Sequence, residues 1–447
     1  MTDHATSAGG AGLSPAINPP SAAFSPAYRR WALIVLTLGY TMNYLDRQIL
    51  SILLQPIKQD LHLTDTHLGF LSGITFALFY ALLGVPIAMW ADRSNRRNII
   101  SLAMLLFSGM TVLCGLVTNY IQLVFARIGV GVGEAGSSPP SHSMIADMFP
   151  PEERAGAIGI YSVGINLGIL IGFLVGGWVS QYYGWRAAFF CVGAPGLIVS
   201  LLVRFTLKEP TRGTADGIAT RAKADAPPIR EVFVFLWAQR SFRHIAFGCA
   251  LAAFGGYAGI TWLPSFLFRS FHMTAVEIGT SLALIIGFVG GFGTYIAGWL
   301  ADRLSRRDVR WNLWVIAIFA AAAFPSSFAL YMASNKVLAL VIFVIPALAG
   351  ATYVGPAVAM TQALVTLRMR AVASAILFFI LNLIGMGLGP QFAGILSDLY
   401  APRFGEESLR YALLTISVVW LWSAVHFMLG ARTLRADLER ARLANLK

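Results

Sequence analysis

Apolar residues fall along this chain in twelve long runs, at approximately 31–54, 69–91, 98–118, 121–146, 155–180, 185–207, 242–268, 277–301, 312–333, 337–366, 371–399 and 409–431. Each is near the roughly 20 residues an α-helix needs to cross a bilayer. The longest polar interruption, residues 208–241, divides six runs from six. The pattern predicts an all-α membrane protein with twelve transmembrane helices: a six-helix bundle at 28–207, a linker at 208–241 and a second six-helix bundle at 242–432. Residues 1–27, rich in Ala, Ser, Pro and Gly, read as a disordered tail, and 433–447 as a second tail. Within the linker, Ile229, Val232, Phe233, Leu236 and Trp237 keep helical spacing. That suits a helix lying on the membrane surface or one packed beneath the bundle.

The two sets of six are copies. Residues 88–97 read A-M-W-A-D-R-S-N-R-R and residues 298–307 read G-W-L-A-D-R-L-S-R-R, so Asp92 and Asp302 lie 210 positions apart. At the same offset, Leu63-Thr64-x-x-His67-Leu68-Gly69 matches Met273-Thr274-x-x-Glu277-Ile278-Gly279. Further on, Arg154-Ala155 matches Arg370-Ala371 and Asn166-Leu167 matches Asn382-Leu383, at an offset of 216. A charged turn repeated at half the chain length marks a duplicated membrane unit, the plan of a transporter whose halves rock against each other.

Composition agrees. Hydrophobic residues make up 57% of the 447 and charged residues 12%, where a soluble protein carries about 25% charged. The net charge of +12 does not signal a nucleic-acid partner. Its arginines cluster in the turns after the second and eighth runs (Arg93, Arg96 and Arg97; Arg303, Arg306, Arg307 and Arg310) and after the last run. The positive-inside rule then puts both termini and the linker in the cytoplasm. No N-glycosylation sequon occurs, which favours a bacterial inner membrane. Cys114, Cys191 and Cys249 lie in apolar runs without metal-ligand spacing and read as buried free thiols. No HExxH, GxSxG or Walker loop appears, so the chain reads as no enzyme, with no cofactor and no metal.

Charges inside a span cost several kcal/mol unless paired or wetted, and so mark function. Asp46 lies 15 residues after Trp31 in the first run, about 22 Å along at 1.5 Å per residue. Arg127 lies six residues after Ile121 in the fourth, antiparallel run, about 9 Å from the same outer edge. The two therefore share a depth. Glu134 is seven residues beyond Arg127 on the same helix face, near the midplane.

The chain resembles the major facilitator superfamily over essentially its whole length. The paired D-R-x-x-R-R turns, Arg127-x-x-x-Gly131-x-Gly133 and Gly184-Trp185-Arg186-x-Ala188-Phe189 carry that resemblance. Ala88 and Asn95 stand where the superfamily usually has glycine, and the fifth helix lacks the Gly-Pro pair of its antiporter motif. More narrowly, Asn43-Tyr44-Leu45-Asp46-Arg47, Glu134-Ala135, Pro139 and Asp147-x-Phe149-Pro150 are similar to the spinster branch, whose members export lysophospholipids or sphingosine-1-phosphate. N-Y-L-D-R alone is shared with organic-anion symporters.

The resemblance implies a major facilitator fold in which helices one, four, seven and ten line a central cavity. Asp46, Arg47, Arg127 and Glu134 would then surround one water-filled site of zero net charge. Asp46 and Glu134 are the candidate proton carriers, and protonating either frees an arginine to hold an anion. Arg47, Arg127 and Glu134 are the candidate substrate contacts of the first half, with Arg47 able to reach the outer gate. The second half offers Tyr257, Trp262 and Tyr353, an uncharged wall that suits the tail of an amphipathic anion. The expected gate is Asp92 and Arg93 with Asp302 and Arg303, and Arg154 and Arg370 as partners across the halves. The function implied is proton-coupled transport of a lysolipid- or sphingolipid-like anion by a monomer, in contact with membrane lipid. A small hydrophilic organic anion held by the same arginines is the alternative.

Overall fold

A computed structural model of the chain describes residues 24–213, 227–350 and 352–444, the side chains of Asp92 and Thr294 aside. In the first half, α1 (Pro26–Leu61), α2 (Asp65–Ser72), α3 (Ile74–Arg93), α4 (Arg96–Cys114), α5 (Tyr120–Ala135), α6 (Ser138–Met148) and α7 (Pro151–Thr206) follow one another. A short α8 (Ile229–Ala238) leads into the second half: α9 (Arg240–Phe271), α10 (Ala275–Leu284), α11 (Gly291–Ser305), α12 (Trp311–Tyr331), α13 (Lys336–Gly350), α14 (Val354–Ala363), α15 (Arg370–Ile380), α16 (Gly389–Phe404) and α17 (Ser408–Ala444). Two π-helical stretches, Ile285–Gly290 and Leu381–Leu388, join α10 to α11 and α15 to α16.

Among the described residues, eight helical runs are long and apolar enough to cross a membrane. Two of them double back. Tyr28 donates its hydroxyl to the Thr206 carbonyl while Arg29 pairs with Glu153, so both ends of α7 meet the start of α1. The reversal is at Gly184, whose φ of 84° only glycine adopts freely. The run Leu367–Leu443 reverses at Gly405, where Phe404 stacks on Tyr411 at 4.0 Å. These ten crossings and the two charge-bearing spans, α1 and α5–α6, make the twelve that the hydrophobic pattern predicts.

The repeat in the sequence is a repeated helix junction. His62 and His272 each close a helix in the left-handed region, at φ 52° and 51°. Thr64 and Thr274 then cap the next helix, each accepting from the backbone N–H three residues on, and His67 and Glu277 reach back to the cap. This reciprocal capping satisfies two helix-end donors that would otherwise be orphaned.

Helix packing explains why Gly164, Gly168, Gly172 and Gly176 recur every four residues in α7. A Cβ on Gly164, Gly168 or Gly172 would lie 2.9, 2.5 or 3.1 Å from α1, and small residues let membrane helices approach this closely. Cys114 and Cys249 are buried as read, but Cys191 is exposed on the outer surface of its span. The linker helix resolves its two readings in part. Val232 and Leu236 are fully buried against the second bundle, while Ile229, Phe233 and Val234 remain exposed.

The halves join along α1–α9, α2–α16, α7–α10 and between α3 and the second π-helical stretch. Among the described residues, the hydrogen bonds and ion pairs joining them lie at the end of the bundle away from the termini, the far end.

Candidate functional site

The central charges resolve into two pairs. Asp46 and Arg127 meet at 3.0 Å with both side chains almost wholly enclosed. Thr111 donates its hydroxyl to the other oxygen of Asp46, so that carboxylate has a partner at each oxygen. Removing one member of such a buried pair strands the other and costs about 3–5 kcal/mol. Arg47 points away from Asp46 and donates its Nε to Glu134 at 2.7 Å. Glu134 is 0% exposed and Arg47 16%. The second oxygen of Glu134, Oε1, is buried with no hydrogen-bond partner.

Local structure aims Glu134. Helix α5 ends at Ala135, the chain turns through Gly136 and Ser137, and α6 starts with Pro139 and Pro140 in its first turn. Proline lacks the N–H that would continue the α5 ladder, so the break falls just past the carboxylate. Ser137 ties the break to α1 by donating to the Asn43 side chain at 3.0 Å.

Around Arg47 stand three rings, Tyr44, Phe76 and Tyr80, at 5.1, 5.0 and 4.8 Å from the guanidinium carbon. Such contacts contribute about 0.5–2 kcal/mol each. The ring series continues from Tyr44 through Tyr40, stacked at 4.4 Å on Tyr161, to His142. Tyr161 is fully buried and its hydroxyl has no partner. Of these aromatics, Tyr40, Phe76, Tyr80 and Tyr161 were not singled out from the sequence. Their signal was present, since Tyr40 and Tyr44, and Phe76 and Tyr80, are i,i+4 pairs on single helix faces.

Of the second-half candidates, Tyr257 packs against the clusters of both halves, beside the Arg47 site. Tyr353 is buried within the second half's cluster. Trp262 stands apart: it is fully enclosed and donates its indole N–H to the Pro390 carbonyl at 2.8 Å. That carbonyl also faces Gly69 of the first half, so Trp262 props the far-end seam. The reach of Arg47 to the outer gate is replaced by its pairing with Glu134.

The far end carries a lock that the sequence reading passed over. Asp65 accepts two hydrogen bonds from Arg269 of the other half, both at 2.7 Å, one from Lys58 at 2.6 Å and one from Ser397 at 2.6 Å. Reciprocally, the carboxylate of Asp398 caps α2 by accepting from the backbone N–H groups of Asp65 and Thr66. Bidentate charge-assisted pairs are the strong class of hydrogen bond. Both charges flank predicted spans and looked like ordinary loop residues.

Arg93, Asp302, Arg303 and Arg370 are exposed. Arg154 donates to the Ala146 carbonyl of its own half, and the side chain of Asp92 lies outside the described residues. Arg96, read as an orientation charge, is instead fully buried, bound to Asp147, Ser143, Glu209 and the Pro210 carbonyl. It fastens the linker's start to the first bundle.

A duplicated twelve-span bundle, sealed at one end and charged at its centre, defines a multi-pass membrane transporter rather than an enzyme. Residues 36–390 match the model of the Major Facilitator Superfamily, and the chain belongs to that family. Within it the chain is spinster-like. It is 32% identical to a solved bacterial homologue of the human lysosomal transporter Spinster, in an inward-facing and unoccupied conformation, with a TM-score of 0.83 over 93% of this chain and 99% of that one. It is 33% identical over 93% of its length to an MFS-type efflux pump of Mycolicibacterium smegmatis, covering 96% of that protein. Protein spinster homolog 1 of Xenopus tropicalis is 27% identical over 93% of this chain and 84% of its own.

Proposed function

We propose that this protein is a proton-coupled secondary transporter of an amphipathic anion of the lysophospholipid or sphingolipid kind, working by alternating access. The observation that carries the reading is the Arg47–Glu134 pair, with one carboxylate oxygen of Glu134 buried and unpartnered. Protonating Glu134 removes the negative partner and leaves Arg47 positive within its ring of aromatics. An anionic headgroup then takes the place of the carboxylate on the guanidinium. The apolar tail lies along Tyr257 and the second half. When Glu134 loses its proton, it reclaims Arg47 and the anion is released.

In this scheme Asp46–Arg127 is a fixed strut beneath Arg47, and Asp65–Arg269 is the far-end latch. The charged turns at Asp92 and Asp302 form the opposite latch, which closes with Arg154 and Arg370 when the far end opens. Both termini face the cytoplasm of a bacterial inner membrane, and a monomer is the transporting unit. The motif resemblance of Asn43-Tyr44-Leu45-Asp46-Arg47 and Glu134-Ala135 to the spinster branch supports the lipid substrate.

Uptake by proteoliposomes under an imposed pH gradient tests the substrate class. A long-chain lysolipid is expected to be transported and to compete with itself, while a small sugar acid does neither. Transport of the sugar acid with no competition by lysolipid would move the assignment to a small hydrophilic anion.

A further inference from the structure

On the far-end surface, away from the central charges, a groove of about 350 Å³ runs between α10 and α13. Its rim carries one charge of each sign. Lys336, the first residue of α13, meets Oε1 of Glu277 in the first turn of α10 at 2.6 Å. Both side chains are nearly half exposed, at 47% and 41%. The other oxygen of Glu277 is held by the Thr274 backbone N–H at 2.9 Å, which fixes the carboxylate's direction. Met273 and Val276 line the groove beside the rim; one turn deeper, Thr280 and Ser281 line the α10 side and the apolar Val337 and Leu340 the α13 side. Leu340 is four residues beyond Lys336, about 6 Å further along its helix.

Charge at the helix starts and an apolar strip of α13 one turn deeper reproduce the order of a phospholipid from headgroup to acyl chain. The groove opens sideways on two spans, so the bilayer fills it. We propose that it binds a bilayer phospholipid with a zwitterionic, hydrogen-bonding amine headgroup, of the phosphatidylethanolamine type. The phosphate takes the Lys336 ammonium and the lipid ammonium takes Oε1 of Glu277. The first acyl methylenes lie on Val337 and Leu340. An anionic headgroup would meet Glu277 without a cation to offset it. A quaternary ammonium has no N–H to donate to the carboxylate.

Native mass spectrometry of the full-length protein, titrated with phosphatidylethanolamine, phosphatidylcholine and phosphatidylglycerol of identical chains, tests this. Phosphatidylethanolamine is expected to fill one saturable site about tenfold more tightly than the other two, a difference of about 1.4 kcal/mol. Lys336→Gln and Glu277→Gln should each bring it down to the phosphatidylcholine level. Gln at 277 keeps an amide oxygen for the Thr274 cap, so the start of α10 survives. Leu340→Trp, which fills the furrow and leaves both charges, should lower retention of all three lipids at that site. Equal binding of the three lipids by the unaltered protein would overturn the proposal. So would an ethanolamine preference that persists in both charge variants, or tighter phosphatidylglycerol binding lost only in Lys336→Gln.

Discussion

Asp46 and Glu134 are both buried carboxylates paired with arginine, yet their surroundings divide their roles. Asp46 has a donor at each oxygen. Glu134 has one donor, one empty oxygen and a partner that is partly exposed. Arg127→Ala should therefore destabilise the protein by about 3–5 kcal/mol, because it strands Asp46. The double variant Asp46→Asn/Arg127→Gln should recover part of that loss, as read by thermal unfolding in detergent. An equal loss in both would mean that the site's cost does not come from the stranded charge. Glu134→Gln keeps the contact to Arg47 and should unfold within a few degrees of the unaltered protein. Asp308, outside the spans, is a different case. Hydrogen bonds from Arg310, with Arg435 nearby, hold its carboxyl down to about 2. A depressed value means that its contribution is present above the ordinary carboxylate range and is lost only as pH falls towards 2. Asp308→Asn should consequently leave the pH profile of transport between pH 5 and 8 unchanged, and a shifted midpoint would contradict this.

At the scale of elements, glycines set how closely the halves approach. Gly73, between α2 and α3, faces Gly387 in the second π-helical stretch, where an added Cβ would sit 2.3 Å from the Gly387 carbonyl. Gly177 of α7 and Gly279 of α10 press backbone to backbone, with an added Cβ 2.5 Å and 2.4 Å from the facing carbonyls. Gly177→Ala and Gly279→Ala should therefore shift the protein towards far-end-open forms. Spin-label distances across the far end should lengthen; an unchanged distribution would show that the seam yields locally. Much of this level was legible in the sequence. Run lengths fixed the spans, and residue counts placed Asp46 level with Arg127. The 210-residue repeat marked the capped junctions at Thr64 and Thr274. What stayed hidden depended on helix rotation and contact between distant segments. Arg47 finds Glu134 across 87 positions, and Asp65 finds Arg269 across 204. The break after Ala135 lies inside a run that reads as one uninterrupted span. Trp262 looked like a cavity residue by its position in the seventh span, and only packing shows its ring enclosed.

For the whole molecule, the far end is joined by polar bonds between halves while Arg93, Asp302, Arg303 and Arg370 at the terminal end are exposed. The duplicated motifs lie towards the two ends, and the central charges belong to one half alone. Asp65→Asn removes the charge that Arg269 and Lys58 share. It should raise the far-end-open population several-fold by the same spin-label measurement, and an unmoved equilibrium would mean that the latch is not what holds this state. The central claim is that an anion is held on Arg47 only while Glu134 carries a proton. Substrate-induced proton movement, followed with a pH-sensitive dye inside proteoliposomes, reads that coupling directly. The unaltered protein should move protons when substrate is added. Glu134→Gln should bind substrate yet move none, while Asp46→Asn, where it folds, should still do so. Substrate-driven proton movement that survives in Glu134→Gln would contradict the account.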